Sequence, residues 1–109
     1  MKKKTEKLDA YPKPTYFAIP KAMEAIALKE ISDYYKKENA KKILKECYLE
    51  QYPSQKEDPK EEIFTMIYPG GGDDWSFSKN KKTGKFVSGY GHGTFFGKLL
   101  TKAQALKKK

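Results

Sequence analysis

The sequence predicts an α+β domain: two N-terminal helices, a three-stranded antiparallel sheet with a basic hairpin, and a C-terminal helix. Three observations lead there. All six prolines precede residue 70 and all eight glycines follow residue 69, so the first half reads as proline-punctuated helix and the second as turns. Apolar residues recur at spacings of three and four up to Tyr48 and take strand-like patterns from Ile63 onward. The length of 109 residues suits one domain, and eight tyrosines, six phenylalanines and one tryptophan give it material for a core despite a mean hydropathy of −0.87. The expected organisation is a disordered basic N-terminus over 1–10, a single domain over 11–106 and a lysine tail over 107–109.

Each element follows from local chemistry. Tyr11 to Ile19 reads as an extended arm, because Pro12, Pro14 and Pro20 disfavour helix at the residues before them. Its Tyr16 and Phe17 are placed to cover the core as a short edge strand would. Pro20 suits a first helical turn, and Met23, Ile26, Ala27, Ile31, Tyr34 and Tyr35 form the stripe of an amphipathic helix over 20–36. Asn39 is an N-cap for a second helix over 39–51, with Ala40, Ile43, Leu44, Cys47 and Tyr48 as its apolar side. Residues 53–60 form a solvated linker. Ile63 to Tyr68 is apolar on both faces, as a central strand is. After the loop Pro69 to Asp74, Trp75 and Phe77 alternate with Ser76 and Ser78, Lys79 to Gly84 makes a hairpin tip, and Lys85 to Tyr90 returns. Thr94 caps a last helix whose stripe is Phe96, Leu99, Leu100, Ala103 and Leu106.

Charge narrows the function classes. All 23 basic residues are lysine, against 14 acids, for a net charge of +9. Lysine is a hydrated point charge without the guanidinium fork used for bidentate base reading, so contacts to nucleic acid would fall mainly on the backbone. Residues 1–60 hold 14 lysines and ten acids, residues 61–78 hold four acids and no lysine, and residues 79–109 hold nine lysines and no acid. A one-signed segment of that kind attracts polyanions or acidic protein surfaces. No apolar run approaches the ~20 residues of a membrane span, and no apolar stretch follows Met1-Lys2-Lys3-Lys4, so the expected location is the cytoplasm. Cys47 is the only cysteine, which excludes an internal disulfide and a cysteine-built zinc site.

The candidate anion-binding residues are Lys79, Lys81, Lys82 and Lys85 around the hairpin and Lys98 and Lys102 on one face of the last helix. Tyr90 and His92 are available for stacking. The arrangement works if the last helix packs beside the hairpin; the plainer reading is a solvated turn and a solubilising tail. Ser88 to Lys98 is glycine-rich and leads from strand to helix, a place where free amide groups can hold an anion, but it matches neither the P-loop nor the dinucleotide fingerprint. His92 has no partner visible in the sequence, and Glu61-Glu62 and Asp73-Asp74 lack a ligand-loop pattern, so no catalytic residue, metal or cofactor is expected.

The β-β-β-α order with Lys98 and Lys102 in the last helix resembles the second half of a double-stranded-RNA-binding domain. It is also similar to small basic ribosome-dependent ribonuclease toxins, which rely on arginines that this chain lacks. Neither likeness spans enough of the chain to define a family. Three functions follow as expectations: a non-enzymatic module for a nucleic-acid backbone, an inhibitor or accessory protein of the phage or mobile-element kind that binds a nucleic-acid-processing protein, and a small ribonuclease toxin.

Overall fold

The computed structural model describes residues 13–107. A short strand β1 (Thr15–Phe17) leads through a 3-10 turn (Lys21–Met23) into helices α1 (Glu24–Tyr34) and α2 (Lys37–Glu46). Strand β2 (Tyr48–Gln51) and a second 3-10 turn (Pro53–Lys56) precede β3 (Glu61–Tyr68), β4 (Asp73–Asn80), β5 (Phe86–Thr94) and a short helix α3 (Lys102–Lys107). The class is α+β, but the expected architecture needs correcting. The sheet has five strands instead of three, joined as an antiparallel meander β1-β2-β3-β4-β5, and a strand precedes the two helices. The frayed segment expected over 1–10 and the last two tail lysines lie outside the described residues, and Lys107 belongs to α3.

The second helix, expected through residue 51, stops at Glu46. Cys47 turns extended (φ −85°, ψ 156°), and Tyr48 to Gln51 become a strand with all four residues buried. Spacing alone misleads there. Ile43, Leu44, Cys47 and Tyr48 satisfy a helical stripe, but Leu49 and Tyr48 are needed on opposite faces of a sheet, where β1 and β3 complete both edges of β2.

The last helix is also shorter than the sequence suggests. Thr94 ends β5 instead of capping a helix, and α3 is capped by Thr101, whose Oγ1 accepts the Gln104 amide at 3.1 Å while Gln104 Oε1 accepts the Thr101 amide at 3.0 Å. Between them the chain crosses one end of the sheet. The Phe95 amide donates to the Gly72 carbonyl at 2.9 Å and the Leu100 amide to the Tyr48 hydroxyl at 3.3 Å. Burying Phe95 and Leu100 therefore competes with the helical phase and wins.

Both faces of the sheet are covered. Leu49, Phe64, Met66, Trp75, Phe77 and Phe86 pack beneath Met23, Ala27, Ile31, Ala40, Ile43 and Cys47. On the other face Tyr48, Ile67 and Ala105 form a smaller cluster with Tyr16, Phe95 and Leu100. The helices thus share the covering with the C-terminal segment. Eight residue pairs fix the β3–β4 register, from Glu61↔Asn80 to Tyr68↔Asp73. The tight turn between them places Gly72 at φ 69°, the left-handed region that favours glycine. Helix α2 lies across this turn end of the sheet. Tyr35, just before it, hydrogen-bonds Asp73 at the start of β4, and Tyr48, just after it, pairs with Ile67 near the end of β3.

Candidate functional site

The meander separates the residues that the sequence groups together. Lys79, Lys81, Lys82 and Lys85 sit at the β4–β5 hairpin, while Tyr90, His92, Lys98 and Lys102 lie toward the α2 end. Strand β4 is eight residues long, so the two ends are about 23 Å apart at ~3.3 Å per residue. The last helix does not pack beside the hairpin. Lys102 Nζ instead donates to the Lys45 carbonyl at 2.9 Å, at the C-terminus of α2 where the helix dipole favours a cation.

At the hairpin end Lys56, Lys60, Lys79, Lys81, Lys82 and Lys85 lie near four acids. Glu61 and Glu62 pair with Asn80 and Lys79 across β3 and β4, and Glu57 and Asp58 lie in the connection just before. Lys81 Nζ donates to the Lys56 carbonyl at 2.7 Å, and Lys79 Nζ lies 5.8 Å from the Phe86 ring centroid. A shallow cavity of about 550 Å³ at this end mixes Asp58 and Glu61 with Lys60 and Lys85. The stretch that is free of acids in sequence is therefore folded against one that carries four.

At the α2 end Lys37, Lys41, Lys42 and Lys45 lie exposed on α2, with Lys98 exposed and Lys102 partly buried beside them, against only Glu38 and Glu46 on the same helix. Asp73 and Asp74 belong to this end too, but both are buried. With those two carboxylates withdrawn, six lysines of α2 and the C-terminal segment face two acids of α2, with Glu30 and Asp33 of α1 beside them. Phe96, 92% exposed, and Leu99, 44% exposed, stand in the same segment as Lys98.

Beneath this surface lies a side-chain network that the sequence hides. Asp73, 6% exposed, accepts hydrogen bonds on both oxygens: Oδ2 from the Tyr35 hydroxyl at 2.5 Å, and Oδ1 from His92 Nε2 at 2.5 Å. The Tyr34 ring stacks on the imidazole with centroids 3.6 Å apart and planes 6° from parallel, and Trp75 meets the same imidazole edge-on at 5.5 Å. Tyr35 meets Tyr34 edge-on at 5.0 Å and Tyr68 at 5.8 Å. Burial first, then the bond to Asp73, pushes the Tyr35 hydroxyl well above its ordinary range, so it remains a proton donor to the carboxylate. His92 thus has a partner 19 positions away in sequence, and Asp73 is more than a turn charge. The signal lay in strand pairing: Trp75↔His92 and Asp73↔Thr94 bring the two together once the β4–β5 register is known.

The other face of the sheet carries a second polar group. Tyr90 donates its hydroxyl to Asp74 Oδ1 at 3.1 Å, and burial followed by Asp74 pushes that hydroxyl up to about 12. Glu50 is buried nearby, and desolvation, then Asp74, raise its carboxyl above the usual range. Asp74 is raised as well, chiefly by desolvation, with Tyr90 and His92 opposing the shift. Tyr90 therefore works in this network on the face opposite His92. No group of three or more potential metal-ligating side chains occurs among the described residues. Cys47 is fully buried, its thiol pushed up to about 12 by desolvation, which makes it an inert packing residue.

The fold and surface define a small α+β meander domain with one strongly basic end. No family model matches the sequence, and neither the curated proteins nor the solved structures contain a match to it. No helix among the described residues is long and apolar enough to cross a membrane.

Proposed function

We propose that this protein is a non-enzymatic module that binds a nucleic-acid backbone, with little sequence preference, through the lysine-rich α2 end. The observation that carries this is the cluster of six lysines there, with only two carboxylates on α2 itself and Asp73 and Asp74 withdrawn into the interior. Ammonium groups on one helix and an adjoining segment suit a repeating anion, and the absence of arginine from the chain suits contact with phosphates more than with base edges. Lys98, which lies outside α3, and Lys102 remain in the proposed surface without sharing a helical face, and Lys37, Lys41, Lys42 and Lys45 take the place of the hairpin lysines as its main contributors. The test is a gel-shift series in which Lys41→Gln/Lys45→Gln is compared with Lys81→Gln/Lys82→Gln. The α2 pair should weaken binding clearly more than the hairpin pair, and the reverse order would refute the assignment.

Phe96 and Leu99 favour a second reading. Apolar side chains left in solvent on either side of Lys98 in the chain also suit an acidic face of a nucleic-acid-processing protein. Recovery of the same protein partner from a pull-down after nuclease digestion, together with no retardation of free nucleic acid, would select it over the first.

A further inference from the structure

We propose that Tyr34 and His92 form a ready-made stacking platform for an unpaired base, so that the ligand of the basic end is a single strand and not a duplex. This rests on the backbone-binding reading above and adds the ligand class. Tyr34 is 54% exposed although it lies at the end of an amphipathic helix, where an apolar stripe normally turns inward. One face of its ring rests on the imidazole of His92, 3.6 Å away and within 6° of parallel, Tyr35 meets the ring edge-on, and about half of the side chain remains open to solvent. A flat aromatic surface of this kind accepts any base, because every base has a π-face.

The platform is held before a ligand arrives. Asp73 fixes both groups that touch Tyr34: it bonds His92 Nε2 through one oxygen and the Tyr35 hydroxyl through the other. Trp75, fully buried, closes the edge of the imidazole. A stack fixed from below loses little side-chain freedom on binding, which favours affinity. The chain then runs from Tyr34 directly into Lys36, Lys37 and the exposed lysines of α2. A helix of ten residues extends about 15 Å at ~1.5 Å per residue, so a strand with one base on Tyr34 can lay its neighbouring phosphates along α2. Bases inside a duplex are already stacked on one another and offer no free face, so only an unpaired base uses the platform.

The experiment measures anisotropy of fluorescein-labelled oligothymidylate and oligouridylate of about 12 nucleotides, beside a hairpin duplex of equal charge, for the wild type, Tyr34→Leu, Tyr34→Phe and Lys41→Gln/Lys45→Gln. In parallel, a single 2-aminopurine in the unlabelled strand reports stacking by its quenching on the wild-type protein, which needs no variant to fold. The expected result is tighter wild-type binding to the single strands, quenching of 2-aminopurine, and a loss of about fivefold or more for single strands on Tyr34→Leu. Tyr34→Phe keeps the ring and keeps the affinity, and the duplex is insensitive to both. Equal effects on both strand forms, or no quenching, would overturn the platform while leaving backbone binding intact, provided the lysine pair still weakens both. Failure of the wild type to bind any of the probes at low salt would instead refute the backbone reading itself. Preference between the thymidylate and uridylate arms identifies DNA or RNA as the source of the strand.

Discussion

Removing the Asp73 side chain should cost the fold about 3 kcal/mol, and the structure shows why. The carboxylate is buried and serves two donors, Tyr35 through Oδ2 and His92 through Oδ1. Hydrogen bonds to a charged partner contribute about 1.5–3 kcal/mol each, which sets a ceiling near 6. Water can replace part of the histidine contact, because 21% of the His92 side chain is exposed, and this brings Asp73→Ala toward the lower end of the range. A domain of this size is stable by about 5–15 kcal/mol, so the variant stays folded with a much reduced margin. Asp73→Asn retains groups able to bond both neighbours and should lose about half as much. Urea unfolding followed by tryptophan fluorescence is the natural assay, because Trp75 is the only tryptophan and lies against His92. With a denaturant slope of about 1.5–2 kcal/mol/M, the midpoint of Asp73→Ala should fall by about 1.5–2 M. A fall of less than about 0.3 M, or Asp73→Asn as damaging as Asp73→Ala, would refute the claim that this carboxylate holds the α2 end together.

Two other outcomes follow from buried ionisable groups. The Glu50 carboxyl is raised above its ordinary value of 4.5 by desolvation and then by Asp74, so the native state holds its proton more tightly than the unfolded chain does. Its contribution is intact below the ordinary carboxylate range and is lost as pH rises through the elevated native value. Glu50→Gln should therefore raise the melting temperature near neutral pH, with the gain vanishing below about pH 4; thermal melts giving the same gain at both pH values would contradict this. Cys47, fully buried with its thiol pushed up to about 12, should resist a thiol-reactive disulfide reagent in the native protein and react within minutes once unfolded in urea. Rapid native labelling would mean that the contact of α2 with the sheet opens readily.

Much of the fold was legible because local chemistry and tertiary demand agreed. Helix α1 and the 3-10 turn before it announce themselves through Met23, Ala27 and Ile31, which are all buried, and the β4–β5 hairpin through alternation around a turn with Gly84 at φ 77°. Strand β2 was not legible, since Cys47-Tyr48-Leu49 suits a helix by spacing and a strand only when β1 and β3 stand on either side. The extended course of Phe95 to Leu100 was hidden for a related reason: its apolar residues fit a helical stripe, yet the second face of the sheet needed Phe95 and Leu100. The site was less legible than the fold. Lysine clustering along the chain drew attention to residues 79–85, but β3 carries acids into contact with that hairpin, and α2, ordinary in sequence, becomes the exposed basic face by lying across the sheet end. His92 stands out in the sequence as the single histidine, whereas its partner Asp73 emerges only from strand register.

Binding through the lysines of the α2 end is electrostatic, so single-strand affinity should fall with salt. Six lysines at the α2 end predict a linear plot of log affinity against log salt with a slope of about −4, from ~0.7 per phosphate on a single strand. Replacing Lys41 and Lys45 by glutamine should make that slope shallower by about 1.4. A flat plot, or a slope unchanged by that double substitution, would show that these lysines do not hold the strand.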